Sequence, residues 1–331
     1  MLAAVISRFG APDVVEVHEV PTPVPSAHEV LVRVHASALN RADLLQRVGR
    51  YPAPAGWPTD IPGIEFAGQV AATGSDTTHW RTGDRVFGLV GGGAHAEYVV
   101  VHESTIVRIP DALTWHQAAA IPEAFFTAYD AIVTQGELRA GERVLIHAVA
   151  SGVGLAAVQV ARAWGGVPYG TSRTADKLAT AKSLGMEDGL AIAGSLEALP
   201  AAVARWSHGA GMDLTIDLVG GTYLSASIDV AAPRGRVMLV GAVAGAQSTI
   251  DIRQVLGKRL MLRGSVMRSR SLSERMAVAN AIAKDVVPLL AGGEMVPTID
   301  TVFPLALIAQ AHARLESNET TGKVVIELPA H

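Results

Sequence analysis

"VLIHAVASGVGLAAVQ", residues 144–159, is the stretch on which the fold turns. A short β-branched run gives way, across a glycine-bearing turn, to apolar residues at helical spacing, so the segment reads as strand, turn and helix. Only glycine lets a backbone come close to a pyrophosphate, and a helix N-terminus offers free N–H groups and a partial positive charge. Gly152 and Gly154 sit where such a turn would open the helix, with Ser151 ahead of them and Val153 between. Measured against G-x-G-x-x-G, "VASGVG" keeps only its last glycine in frame, and Val149 and Ser151 replace the first two. An ordinary glycine-rich strand–helix turn has the same look. The setting is what favours a dinucleotide site.

That setting is an alternation. After "RVLIHAV" and the helix come a strand "VPYGTS", a helix "TADKLATAKSLG", and further strands in "MDLTIDLVG" and "GRVMLVGA". Strand–helix alternation indicates a parallel, doubly wound α/β sheet. The first third differs: "AAVIS", "VVEVHEV", "EVLVRVHASAL", "FAGQVAATG", "DRVFGL" and "AHAEYVVVHE" are short β runs punctuated by Gly, Pro or Asp. "TWHQAAAIPEAFFTAYDAIVTQG" (114–136) has helical spacing broken at Pro122, and the tail returns to β character in "MLRGSVM", "VFPL" and "GKVVIELP". The order is a β-rich unit, an inserted α/β unit, and a tail able to rejoin the first.

Composition narrows the function classes. The 331 residues are 49% hydrophobic and 18% charged, with a net charge of −4, enough for about two well-packed domains and no basic nucleic-acid surface. Cysteine is absent, which excludes disulfides, thiolate metal sites and a cysteine nucleophile. "MLAAVISRFG" does not read as a signal peptide, and the longest apolar region is interrupted by His147, Gln159 and Arg162. A soluble, cytoplasmic protein is expected.

The second strand of the α/β unit bears on the choice of dinucleotide. An NAD site places Asp or Glu about 20 residues past the glycines, on the ribose hydroxyl. Here that neighbourhood holds Thr171, Ser172, Arg173 and Lys177, with no acid at the strand end. Hydroxyls and cations suit the 2′-phosphate of NADPH, although "SRTADK" also makes a good solvated helix start. A second constellation, "ALNRADLLQRVGRYP" (38–52), sets Asn40, Asp43 and Tyr51 around a short helix pattern. Asn40 and Asp43 are spaced as a capping pair, and the residues alone favour that role over an active site.

Resemblance bears on this choice. "SALNRADLLQR", "GRYP", "IPGIEFAGQV", "GGGAHAEYVVV", "AAAIPEAFFTAYDA", "VLIHAVASGVGLAAVQ" and "TGKVVIELP" resemble the zinc-independent quinone oxidoreductases of the medium-chain dehydrogenase/reductase superfamily. The likeness is nearest the branch that contains the tumour-suppressor-inducible NADPH:quinone oxidoreductase. It runs the length of the chain and implies a GroES-like catalytic domain interrupted by a Rossmann domain. On that plan residues 1–122 form the first part of the catalytic domain, 123–262 the NADPH-binding domain, and 263–331 the return.

Zinc relatives carry a Cys ligand near the position of Asn40 and a His ligand where this chain has Ile64, so the resemblance implies no metal. It implies instead hydride transfer from NADPH to a quinone, a conjugated acceptor that needs orientation and a hydrogen-bond donor rather than a Lewis acid. Asn40, Asp43, Tyr51 and Ser151 are the implied catalytic residues. Tyr51 is the best proton donor, since a phenol is protonated at neutral pH. Thr127, Gly241, Ala242, Ser265 and Arg268, together with Asn40 and the Ser151–Gly154 turn, are implied cofactor contacts, and Glu65 an inward-facing acid. Ile192 stands where several relatives stack a tyrosine near the adenine. A homodimer is implied too. An enone or alkenal reductase would use the same geometry, and a non-catalytic NADPH-binding sensor or crystallin-like protein would bind the cofactor without turnover.

Overall fold

The computed structural model describes residues 1–329. In chain order its strands are β1 (Leu2–Ile6), β2 (Val15–Glu19), β3 (Glu29–Leu39), β4 (Glu65–Thr73), β5 (Arg85–Leu89), β6 (Tyr98–His102) and β7 (Ile106–Arg108). Then follow β8 (Arg143–Ile146), β9 (Val167–Ser172), β10 (Asp188–Ala191), β11 (Met212–Asp217), β12 (Ala231–Leu239), β13 (Met261–Gly264), β14 (Ile299–Pro304) and β15 (Lys323–Glu327). The chain forms two compact units, Met1–Phe126 with the segment from Met267 onward, and Thr127–Val266.

The first unit is built on a sheet of order β14-β15-β3-β4-β5-β7, with β6 also pairing with β3 and β1-β2 forming a separate antiparallel pair. β3 shows why. Along its first half, buried Val30, Val32 and Val34 alternate with more exposed Leu31, Arg33 and His35, the pattern of a strand with one face in the core. From Ala36 to Leu39 every residue is buried, because β15 and β4 pair along both edges and other chain covers both faces. Ser37 pairs with Phe66 of β4 and with Ile326 of β15, so the end of β3 lies between the start of β4 and the start of β15.

The second unit is a six-stranded parallel sheet of order β10-β9-β8-β11-β12-β13. This is the doubly wound arrangement expected from the alternation, and the order reverses between β8 and β11, where such sheets open a ligand crevice at their carboxyl ends. Val144, Leu145 and Ile146 are completely buried, as a central strand covered on both faces must be. β10, "DGLA", carries none of the usual β-branched signal and pairs at the edge of the sheet.

Pro122 acts differently from the simple break expected of it. Thr114 caps the helix Trp115–Ala119, and Pro122 opens a new helical run, Pro122–Phe126, continued by Thr127–Tyr129 and Asp130–Thr134. Proline suits the first turn of a helix, where its missing N–H has no partner to lose.

Candidate active site

In the first unit the sheet brings three chain-distant residues to one place. Asn40 follows β3, Glu65 begins β4, and Lys323 begins β15. The Lys323 ammonium donates to Asn40 Oδ1 at 2.6 Å and Leu39 O at 3.0 Å, and lies 2.6 Å from Glu65 Oε1. Asn40 Nδ2 donates to Glu65 Oε1 at 2.7 Å and to Ala38 O at 3.2 Å, while Glu65 Oε2 accepts the Glu123 N–H at 2.7 Å. Glu65 is fully buried and Lys323 nearly so. Taken from water, each ion is held by the other and by directed hydrogen bonds, the condition under which a buried pair is tolerated.

Asn40 also caps the helix Arg41–Arg47, but through its backbone. Its N–H donates to Asp43 Oδ2 at 2.7 Å, and the Asp43 N–H returns to the Asn40 carbonyl rather than to its side chain. The amide is thereby left for Glu65 and Lys323. Asp43 is fully buried; its Oδ1 accepts the Gly63 N–H at 2.9 Å, and His95 Nε2 lies 3.8 Å from Oδ2. Burial by itself would push the Asp43 carboxyl up, but His95 and the Asn40 N–H outweigh it and hold it below the usual carboxylate range. Gly63 has φ of +100°, and a Cβ there would come within 2.4 Å of the His95 backbone nitrogen, so only glycine fits. His95 Nδ1 lies 2.8 Å from Ser37 Oγ. This Ser–His–Asp line has no exposed surface and serves as internal scaffolding.

Tyr51 follows that helix and is half-buried. The Arg268 guanidinium lies over its ring, 5.0 Å from the centroid, and donates to Gly91 O at 2.8 Å, Tyr51 O at 3.1 Å and Gln46 Oε1 at 2.5 Å. Arg268 therefore fastens the tyrosine loop in place. Among the described residues, no hydrogen bond takes up the Tyr51 hydroxyl. Burial pushes its pKa above the ordinary phenol value, against the opposing pull of Arg268. A donor that stays protonated and uncommitted is what an incoming oxyanion requires.

The residues present do not fit a zinc ion. Asn40 and Ile64 offer an amide and an alkyl group rather than a thiolate or imidazole, and a lysine ammonium already neutralises Glu65. Among the described residues, no group of three or more His, Cys, Asp or Glu could hold a metal.

In the second unit, Ser151 caps the helix Gly152–Ala163 by accepting the Gly154 N–H at 3.1 Å, and this cap does not use the first-turn N–H groups of Gly152 and Val153. Gly154 belongs to packing, since a Cβ there would lie 2.5 Å from Val149 O. Thr171 and Ser172 end β9, both buried; the Thr171 hydroxyl lies 2.9 Å from His147 Nδ1, and His147 Nε2 is 3.1 Å from Ser227 Oγ. Burial lowers the His147 pKa to about 3, so this bridge is neutral. Arg173 is exposed and Lys177 lies in the first turn of the helix Asp176–Ser183, with Arg173 close enough to draw down the Tyr223 pKa that burial raises. Buried Ile192 donates its N–H to Ser172 O.

Gly241 and Ala242 follow β12, and a Cβ on Gly241 would lie 2.4 Å from Leu218 O, so the loops after β11 and β12 stack backbone to backbone. Thr127 opens this unit and is buried, and the Ser265 hydroxyl donates to Asp130 Oδ2 at 2.8 Å. Ser265 and Arg268, which the sequence groups in one loop, belong to different units. Lys323, Gln46 and His95 carry no signal in local pattern; Lys323 is 283 residues from Asn40, and only its place in the quoted C-terminal motif could have drawn attention to it.

Comparison with known proteins fits this picture. Residues 26–111 match the alcohol dehydrogenase GroES-like domain, and residues 152–284 match the zinc-binding dehydrogenase model. The chain is 33% identical to the quinone oxidoreductase of Pseudomonas aeruginosa over 97% of each protein. It superposes on the crystal structure of a quinone oxidoreductase from Pseudomonas syringae with a TM-score of 0.88 and 29% identity, covering 99% of this chain and 100% of that one. A mycobacterial protein solved in complex with NADPH aligns with a TM-score of 0.88 and 27% identity, at 99% and 100% coverage.

Proposed function

Because the chain belongs to the quinone oxidoreductases of the medium-chain dehydrogenase/reductase superfamily, we propose that it is a zinc-free, NADPH-dependent quinone reductase. When bound, NADPH supplies the hydride. The residues proposed to hold it are Thr127, the Ser151–Gly154 helix start, Ser172, Arg173, Lys177, Gly241, Ala242 and Ser265. The absence of an acid at the very end of β9, with Arg173 and Lys177 following, favours the phosphorylated cofactor. Thr171 supports this site from within, its hydroxyl being engaged by His147.

The acceptor is proposed to lie against Tyr51, whose hydroxyl would donate to the oxyanion formed as the quinone is reduced. The observation that carries this reading is that hydroxyl, half-buried, protonated and without a partner among the described residues. Asn40 and Asp43 would act by position, since their polar atoms are engaged by Lys323, Glu65 and Gly63. Arg268 would act through Tyr51 and Gln46 rather than by direct chemistry.

The test is oxidation of NADPH and of NADH by the purified protein, with 1,4-benzoquinone and a small enone as parallel acceptors. Fastest loss of NADPH with the quinone is expected. Turnover with the enone alone would make the protein a double-bond reductase, and tight NADPH binding with no turnover would make it a sensor. We further propose a cytoplasmic homodimer formed along β13, where Met261 on the edge strand and Ile252 and Leu256 on the preceding helix are exposed. Sedimentation as a monomer would overturn the dimer.

A further inference from the structure

Asp217 is a fully buried acid that the proposed mechanism does not use. It ends β11, and among the described residues no cation lies within ion-pair distance of its carboxyl. Its Oδ1 accepts the Val219 N–H at 2.9 Å and the Gly220 N–H at 2.8 Å, whereas Oδ2 is buried without a partner among those residues. A carboxyl taken from water on those terms is costly. A leucine would avoid that cost but would strand the two amides, which no other acceptor takes up among the described residues.

Those amides begin a loop that is stitched to its neighbour. The Asp217 carbonyl accepts the Val240 N–H at 2.9 Å and the Gly241 N–H at 3.2 Å. This one residue therefore holds the loop after β11 with its side chain and the loop after β12 with its backbone. Further along, the Ala244 N–H donates to Val219 O at 2.8 Å, the Gly221 N–H donates to Gly245 O at 3.0 Å, and Gly220 bridges Gly245. Gly220 has φ of +72°, and a Cβ there would lie 2.9 Å from the Ala242 Cα. The turn that the Asp217 side chain closes is thus the one that brings the two loops into contact.

Sheet order indicates what these joined loops would receive. In the order β10-β9-β8-β11-β12-β13, Arg173 and Lys177 follow β9 and the glycine turn follows β8. With the 2′-phosphate held after β9 and the pyrophosphate at the helix start after β8, a dinucleotide crossing the carboxyl edge extends its other half over β11 and β12. We propose that Asp217 is a positioning residue for the nicotinamide half of the cofactor, because it ties the loops 218–221 and 240–245 together and so fixes Gly241 and Ala242. That role rests on the NADPH-binding reading of this unit; the tie between the loops does not.

The experiment titrates NADPH and adenosine 2′,5′-bisphosphate, which lacks the nicotinamide half, into wild type, Asp217→Ala and Asp217→Asn. Loss of the acceptor for two amides predicts NADPH binding about 10-fold weaker in Asp217→Ala, with the bisphosphate within about twofold of wild type. Asp217→Asn keeps an oxygen for both amides and should recover most of the affinity. Equal weakening of both compounds would make Asp217 a general support of the unit, and unchanged NADPH binding in Asp217→Ala would remove it from the site; either result overturns the proposal. Should Asp217→Ala not fold, Asp217→Ser, whose shorter hydroxyl can still cap a turn, is compared in the same way. If wild type binds neither compound, the NADPH reading fails separately. Amide hydrogen exchange in the free proteins then decides the tie itself. Faster exchange at both 218–221 and 240–245 in Asp217→Ala, restored in Asp217→Asn, is the expected result, and unchanged exchange at 240–245 would overturn it.

Discussion

Among the described residues the Tyr51 hydroxyl is uncommitted, whereas the Lys323 ammonium is held by three oxygens. If Tyr51 is the proton donor, Tyr51→Phe should lower kcat/KM for the quinone by about 100-fold, the lower end of general acid catalysis, while leaving the unfolding midpoint nearly unchanged. Because burial raises the Tyr51 pKa, the wild-type rate should hold through pH 9 rather than fall as an ordinary phenol begins to ionise. A loss of under threefold in the variant would remove Tyr51 from the mechanism. Lys323 makes a different prediction. Lys323→Met strands the Glu65 carboxylate in the interior and should cost about 3–5 kcal/mol in urea unfolding, whereas the pair Lys323→Met, Glu65→Gln should recover much of it. Equal losses in the single and the double variant would mean that the pair is not coupled.

At the scale of elements, the turn between β8 and the helix Gly152–Ala163 carries its own strain. Ala148 has φ of +51°, a left-handed conformation that costs an alanine roughly 1 kcal/mol and a β-branched residue more. Ala148→Gly relieves this but loosens the unfolded chain, so its stability should lie within about 1 kcal/mol of wild type, on the stabilising side. Ala148→Val should be destabilised by about 2 kcal/mol or more. Chemical denaturation separates the two, and matching midpoints would show that this turn relaxes freely. The strand–turn–helix itself was legible, because an apolar run, a glycine turn and helical spacing all act within 16 residues of chain. The Asn40–Asp43 cap was legible for the same reason. The direction of the Asn40 side chain was not, since it depends on Glu65 and Lys323 arriving from other strands.

For the whole molecule, pH dependence is set by buried histidines. Burial takes His147 and His312 down to about 3 from an ordinary 6.5. Between those values the unfolded chain binds protons that the folded chain refuses, so their contribution is complete above pH 6.5 and is lost as pH falls towards 3. Asp43, held below its ordinary value, withdraws its contribution in the same direction at lower pH. The unfolding midpoint should therefore drop on going from pH 7 to pH 5, with a slope approaching two protons per molecule. Neither ring nitrogen of His312 has a partner among the described residues, so His312→Leu should flatten that slope without loss of stability at pH 7. A pH-independent midpoint would show that these histidines charge freely in the fold.

What the sequence determined unaided is the local grammar: the parallel α/β alternation, the glycine turn, the lack of an acid at the end of β9 and the absence of cysteine. Each follows from backbone geometry or side-chain chemistry within a few turns of chain. β10 and the restart at Pro122 are local cases in which pairing or a helix's first turn outweighed propensity. Only the tertiary structure decided which polar groups meet. Lys323 reaches Asn40 through the pairing of β15 with β3, and Arg268 reaches Tyr51 through hydrogen bonds to two separate loops and a helix. Strand register and loop packing set those encounters, and neither is written in the spacing of residues along the chain.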